Sequence, residues 1–211
     1  MGTNIIGWMM ARYFWEDKLT EVPVCRGLVD NYDIIKKELL SHKSDPNVMQ
    51  DYPNYTVDNN KMIYEKYWKA APLSAFKDEH VEINGSETLK NLVNHLIHKA
   101  RENCPTFYSI IKEQERLGNL CNSFISKLIP GTRINPHSGW SDNYMRVHLG
   151  LVCDPECKIT VGKETKTWEE GKFLAFNDGD MHSVYHGGTR ERIVLSIDLR
   201  LVYLKQFIGW N

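Results

Sequence analysis

Two histidines and one arginine define the chemistry this sequence can attempt. His137 sits in PHSG (Pro136 to Gly139), His182 in FNDGDMHSVYH (Phe176 to His186), and Arg192 opens the apolar run RIVLSIDL (Arg192 to Leu199). Two imidazoles on separate β-like segments can hold a divalent transition metal and leave coordination positions open. An arginine at the head of a strand offers a planar fork that meets a carboxylate through two charge-assisted hydrogen bonds. Together they suit a mononuclear iron site that also binds a keto acid. Such sites usually carry a carboxylate two residues after the first histidine, and here that position is Gly139. By residue type alone, the pair reads equally well as structural or surface histidines.

Other candidates carry weaker signals. Asp180 precedes His182 by two on a strand, so it is a replacement third ligand, a substrate contact or a solvated turn acid. His186, further along the same face, reads as surface or as support for the site. Arg190 falls on the loop side by its parity with Arg192. His95 and His98 lie on or beside the polar face of a helical segment and read as solvated. Cys153 and Cys157 flank an Asp-Pro turn, and no second pair at zinc spacing accompanies them, so they read as an ordinary hairpin loop.

The elements that must position these groups divide the chain in two. Tyr32, Ile35 and Leu39 predict a helix over Asp30 to Lys43 with Asn31 as its N-cap. Ser44 to Asn60 reads as loop, and Lys61 to Trp68 as a short helix ending before Pro72. Asn84-Gly85-Ser86 opens a further predicted helix, in which Leu89, Leu92, Val93, Leu96, Ile97 and Ala100 share one face. A last helix, Thr106 to Leu117, stops at Gly118. The period then becomes alternating. Strands are predicted at Asn122–Ile129, Tyr144–Val152, Cys157–Val161, Lys172–Phe176, Met181–Tyr185 and Arg192–Leu199, separated by turn residues. Short strands in this number predict a sandwich or barrel, and a jelly roll satisfies the count.

Composition excludes several classes. The 211 residues suit one domain, with 42% hydrophobic residues and a formal charge of −1. That near-balance gives no pull toward nucleic acid or an anionic membrane surface. No run approaches the roughly 18 apolar residues of a membrane span. The start lacks the basic region and clean apolar core of a signal peptide, and Ile6 spoils a myristoylation pattern. Five scattered cysteines fit reduced thiols, hence a cytoplasmic protein.

From about Asn122 onward the sequence resembles the aspartyl/asparaginyl β-hydroxylase family of iron(II)/2-oxoglutarate-dependent dioxygenases. The resemblance is carried by Pro130-Gly131-Thr132, PHSG, MRVHLGL (Met145 to Leu151), ETKTWEEGK (Glu164 to Lys172), FNDGDMHSV and RIVLSIDL, in that order. It implies a mainly β fold with α: a double-stranded β-helix (jelly roll, cupin-like) spanning 119–211, with a mainly helical N-terminal region, 1–118, packed on it as part of one domain. It implies that His137 and His182 are the iron ligands, with water where Gly139 leaves a vacancy. Arg192, helped by Ser126, is expected to pair with the distal carboxylate of 2-oxoglutarate. Arg146 and His148 line the same pocket and are assigned to the 2-oxoglutarate end, Arg146 having a substrate carboxylate as its alternative. Trp168 and Gly171 are expected to be structural. The implied reaction consumes Fe(II)-bound 2-oxoglutarate and O2 and hydroxylates an unactivated carbon of an Asp- or Asn-like residue in a peptide, protein or small molecule. The alternatives are an iron halogenase, in which the glycine vacancy admits chloride, and a non-catalytic jelly-roll binding protein.

Overall fold

The computed structural model describes residues 13–16, 18–51, 56–57, 60–61, 63–64, 68–74, 87–139 and 141–208. The predicted helix start at Asn84-Gly85-Ser86 and the first twelve residues lie outside these. Among the described residues there are five α-helices: α1 (Pro23–Asp30), α2 (Tyr32–Lys43), α3 (Glu87–Asn103), α4 (Pro105–Arg116) and α5 (Leu201–Ile208). The N-terminal strands are β1 (Gln50–Asp51), β2 (Thr56–Val57), β3 (Asn60–Lys61), β4 (Ile63–Tyr64) and β5 (Trp68–Ser74). Then come β6 (Leu120–Leu128), β7 (Arg133–His137), β8 (Tyr144–Val152), β9 (Cys157–Val161), β10 (Glu164–Thr167), β11 (Phe173–Asn177), β12 (His182–His186) and β13 (Arg192–Arg200).

A six-stranded antiparallel sheet, ordered β1-β5-β6-β13-β8-β11, faces a five-stranded one ordered β10-β9-β12-β7-β4; β2 and β3 form a separate pair. This is the expected jelly roll with helices on one side. Alternation along β8 and β13 explains the layering. Met145, Val147, Leu149 and Leu151, with Ile193, Leu195, Ile197 and Leu199, pack with the helices in one core. The intervening residues of both strands face the second sheet, where Ile134, Ile159, Val161, Val184 and Val194 form a second core. Both central strands are therefore buried on both faces, and polar side chains on their inner face sit in a dry space.

Several expectations change. The described residues between Lys61 and Trp68 lie in strands rather than the expected helix: β3 ends at Lys61 and β4 is Ile63–Tyr64. β5 begins at Trp68 and pairs with β6, where a register shift between Pro72 and Ser74 absorbs the proline that was read as a stop signal. The first 118 residues thus contribute β1, β4 and β5 to the two sheets. Asn31 precedes α2 but does not cap it; its side chain donates to Gly27 O at 2.9 Å and ties down the end of α1. Ser44 to Asn60, read as loop, holds β1, β2 and the start of β3; β7 was foreseen only as a β-like segment around His137, and β10, α1 and α5 were not foreseen. Gly118 does end α4, with φ +72°. Among the described residues no helix is long and apolar enough to cross a membrane.

Candidate active site

His137 ends β7 and His182 begins β12, and the two are direct cross-strand partners. A register shift between His182 and Val184 bends the pair at that point, so β7 carries an extra residue and its last side chain is re-aimed. The ring centroids lie 4.2 Å apart. His137 Nδ1 is 2.8 Å from Asn135 O, and His182 Nδ1 is 2.7 Å from Asp180 O. A carbonyl only accepts, so each Nδ1 carries the proton and each Nε2 keeps its lone pair. Burial lowers the pKa of both rings, that of His182 to about 3 with His137 as the next cause. Two neutral imidazoles with fixed tautomers and free Nε2 atoms are the donor set a divalent metal needs. They fit the implied iron.

One cavity, about 380 Å³ of atom-free space including its mouth, is lined by both histidines together with Ser126, Arg146, His148, Trp168, Arg192 and Trp68. At its closed end Arg192 is 2% exposed, with Nη1 donating to Ser126 Oγ at 3.3 Å and its guanidinium 4.7 Å above the Trp168 ring. Its Nε has no partner, and among the described residues no carboxylate pairs with it. Burial pushes its pKa down, as expected for a cation that has lost water without gaining an anion. Trp168 Nε1 donates to His148 Nδ1 at 3.1 Å, which leaves the His148 proton on Nε2. Burial, then the nearby arginines, keeps that ring neutral. The pocket therefore offers a guanidinium, a hydroxyl and an imidazole N–H to an anionic occupant.

Arg146 does not fill the role expected of it. It lines the cavity, but its Nε and Nη2 donate to Asp198 at 2.9 and 3.0 Å, and its Nη1 lies 2.7 Å from Asp178 Oδ1. With carboxylates on all three nitrogens, it is not a free cation for a keto acid. Asp180 contributes its backbone carbonyl to His182, while its side chain is half-buried; burial, then Asp142, raises its pKa. Among the described residues no three metal-ligating side chains converge. His186 is fully buried rather than at the surface, with Nε2 unpartnered. Arg190 lies on the loop as expected and donates to Cys153 O at 2.7 Å.

Three residues were missed. Asp178 lies 4.0 Å from His182 Nε2 and is 2% exposed, although a DG turn reads as solvated in sequence. Asp198, inside an apolar strand, is identifiable in retrospect as the only acid there, but its partner is not. Trp68 donates to Ser126 Oγ at 3.0 Å from the half of the chain read as helical.

A family model described as aspartyl/asparaginyl beta-hydroxylase matches residues 29–201. The chain belongs to this family. The human aspartyl/asparaginyl beta-hydroxylase is 45% identical over 71 residues, which cover 33% of this chain and 9% of that protein. The mouse aspartate beta-hydroxylase domain-containing protein 2 is 37% identical over 102 residues, covering 46% of this chain and 30% of the relative. The match therefore spans under a third of either relative. Among solved structures, a Pseudomonas putida prolyl-4-hydroxylase superposes with a TM-score of 0.44 at 11% identity, over 82% of this chain and 96% of that one.

Proposed function

We propose that the chain is an iron(II)- and 2-oxoglutarate-dependent dioxygenase that hydroxylates an unactivated carbon of an Asp- or Asn-like side chain, in a peptide, a protein or a small molecule. The observation that carries this reading is the buried, anion-free guanidinium of Arg192 in the same cavity as two Nε2-free histidines. His137 and His182 would hold the iron, which when bound activates O2 against the keto acid. Arg192 and Ser126 bind the distal carboxylate of 2-oxoglutarate, and the Trp168 face holds the fork flat. His148 supplies a neutral N–H donor beside it. The two apolar sheet faces exclude water around these groups. Free, buried thiols at all five cysteines accord with the cytoplasmic location we assign. The halogenase reading fits less well, because the space beside Gly139 already holds the carboxylate of Asp178.

Anaerobic titration with iron(II), with and without 2-oxoglutarate, tests the proposal. The visible charge-transfer band of the chelate is expected only with both present. It should vanish in His137→Ala and in His182→Ala while the far-ultraviolet circular dichroism is unchanged. A folded wild-type protein that forms no band would leave the non-catalytic jelly roll standing.

A further inference from the structure

The outer face of the five-stranded sheet carries a trough that belongs to neither core. Cross-strand register sets two rows of side chains in it. Lys158 of β9, Tyr185 of β12 and Arg133 of β7 face one another in the first. Thr165 of β10, Thr160 of β9 and Ser183 of β12 form the second. The register shift in the β7–β12 pair sets both Asn135 and Pro136 against Ser183, and two residues against one bend the strand there. The hollow has about 800 Å³ of atom-free space including its open mouth. Ile134 and Val184 line both this trough and the cavity of the two histidines, so the two lie back to back across β7 and β12. They share no polar side chain.

A solvated sheet face ordinarily mixes both signs of charge. The chain has 26 lysines and arginines against 27 aspartates and glutamates, yet the described residues lining the trough include two cations and no acid. Arg133 is exposed, with its guanidinium 5.2 Å from the centre of the Tyr185 ring, and among the described residues no carboxylate pairs with it. Lys158 reaches Glu156 at 3.3 Å, but both side chains are largely exposed and such a pair is weak. The hydroxyls of Thr160, Thr165, Ser183 and Tyr185 can all donate, and the first two lie 2.9 Å apart. From β10 to β7 the trough crosses three interstrand spacings of about 4.8 Å, the length of about four extended residues. A single inorganic anion would leave most of that length unused.

We propose that this trough docks a short acidic segment of an extended polypeptide, lying across the strands with its carboxylates on Arg133 and Lys158. The Tyr185 ring supports the guanidinium from one side, and the hydroxyl row donates to the carbonyls of the docked chain. Charge-assisted hydrogen bonds at an exposed face carry the recognition, so salt weakens it. The site needs no metal and stands apart from the reaction proposed above.

Fluorescence anisotropy with a labelled, end-blocked hexaglutamate tests this on the full chain, with hexaglutamine as the neutral control. Hexaglutamate is expected to bind at least tenfold more tightly than hexaglutamine. Arg133→Ala and Lys158→Ala should each weaken it threefold or more, and the double variant at least tenfold, with circular dichroism unchanged. Lys112→Ala, at an exposed position of α4, and Arg192→Met, in the cavity, should bind it as wild type does. Hexaglutamate bound no better than hexaglutamine would overturn the proposal. A loss in Lys112→Ala equal to that in Arg133→Ala would also overturn it, by reducing the effect to overall charge. So would a loss in Arg192→Met with both trough variants unaffected, which would move the peptide into the cavity. Displacement by millimolar inorganic phosphate at constant ionic strength would make the trough a small-anion site and sink the peptide. A dimer that Arg133→Ala dissolves in sedimentation, with no hexaglutamate bound, would make the occupant a second copy of the chain instead.

Discussion

The two arginines in this cavity have the same side chain and opposite circumstances. Arg146 is paired with Asp178 and Asp198, while Arg192 is 2% exposed with Trp168 and Ser126 and, among the described residues, no acid. A buried charge without a counter-ion costs stability, and an anion that supplies one recovers it. Arg192→Met removes the charge and keeps much of the volume. We expect it to melt no lower than wild type in the absence of ligands, yet to lose about 10- to 100-fold in 2-oxoglutarate affinity, the equivalent of about 1.5–3 kcal/mol for a hydrogen bond to a charged group. Thermal melting and calorimetric titration check both halves. A large drop in melting temperature would show that Arg192 is a structural residue.

The strap carrying Trp168 depends on one glycine. A Cβ at Gly150 would lie 2.2 Å from Glu169 O and 2.8 Å from Cys153 Sγ. With only hydrogen there, the strap lies flat on β8: Gly171 N donates to Gly150 O at 3.0 Å, and Tyr32 of α2 donates its hydroxyl to the same oxygen at 2.8 Å. The next turn closes through Gly171 at φ +75°. Because the clash is with backbone, it cannot be relieved by rotating a side chain. Gly150→Ala is expected to destabilise the fold by about 1–3 kcal/mol, the usual range for overpacking. It should also weaken 2-oxoglutarate binding, since Trp168 orients both His148 and Arg192. Chemical denaturation and ligand titration of the same variant check the pair of effects.

At the scale of the whole molecule, the helices form a third layer, and their core carries its own buried titratable group. His42 of α2 is 2% exposed; Asn103 of α3 donates to its Nδ1 at 3.2 Å, and its Nε2 is unpartnered. Burial, then Lys99, lowers its pKa below the ordinary 6.5. Below that value the unfolded chain binds a proton that the folded protein refuses, so His42 costs stability as pH falls through 6.5 and onward to its lower folded value. His42→Gln should remove up to one proton from the unfolding linkage in that window and leave the slope above pH 7 unchanged. Denaturant midpoints measured at half-unit pH steps check it; parallel curves for the two proteins would rule the site out.

Ser126 and His148 were named only through the family resemblance, while the sequence by itself determined the alternation that makes β8 and β13 and offered His137, His182 and Arg192 as candidates. These were legible because strand period and residue chemistry are local properties. Chain order alone could not reveal partners. Asp178 and Asp198 look like a turn acid and an interruption in an apolar strand until β13–β8 pairing and the Gly139 turn bring both onto Arg146. Trp68 reached the pocket only through β5–β6 pairing, which outweighed a helical reading of its segment. The free guanidinium of Arg192 and the occupied one of Arg146 are indistinguishable as letters. Their difference is which carboxylates arrive across the sheets, and only the tertiary structure decides that.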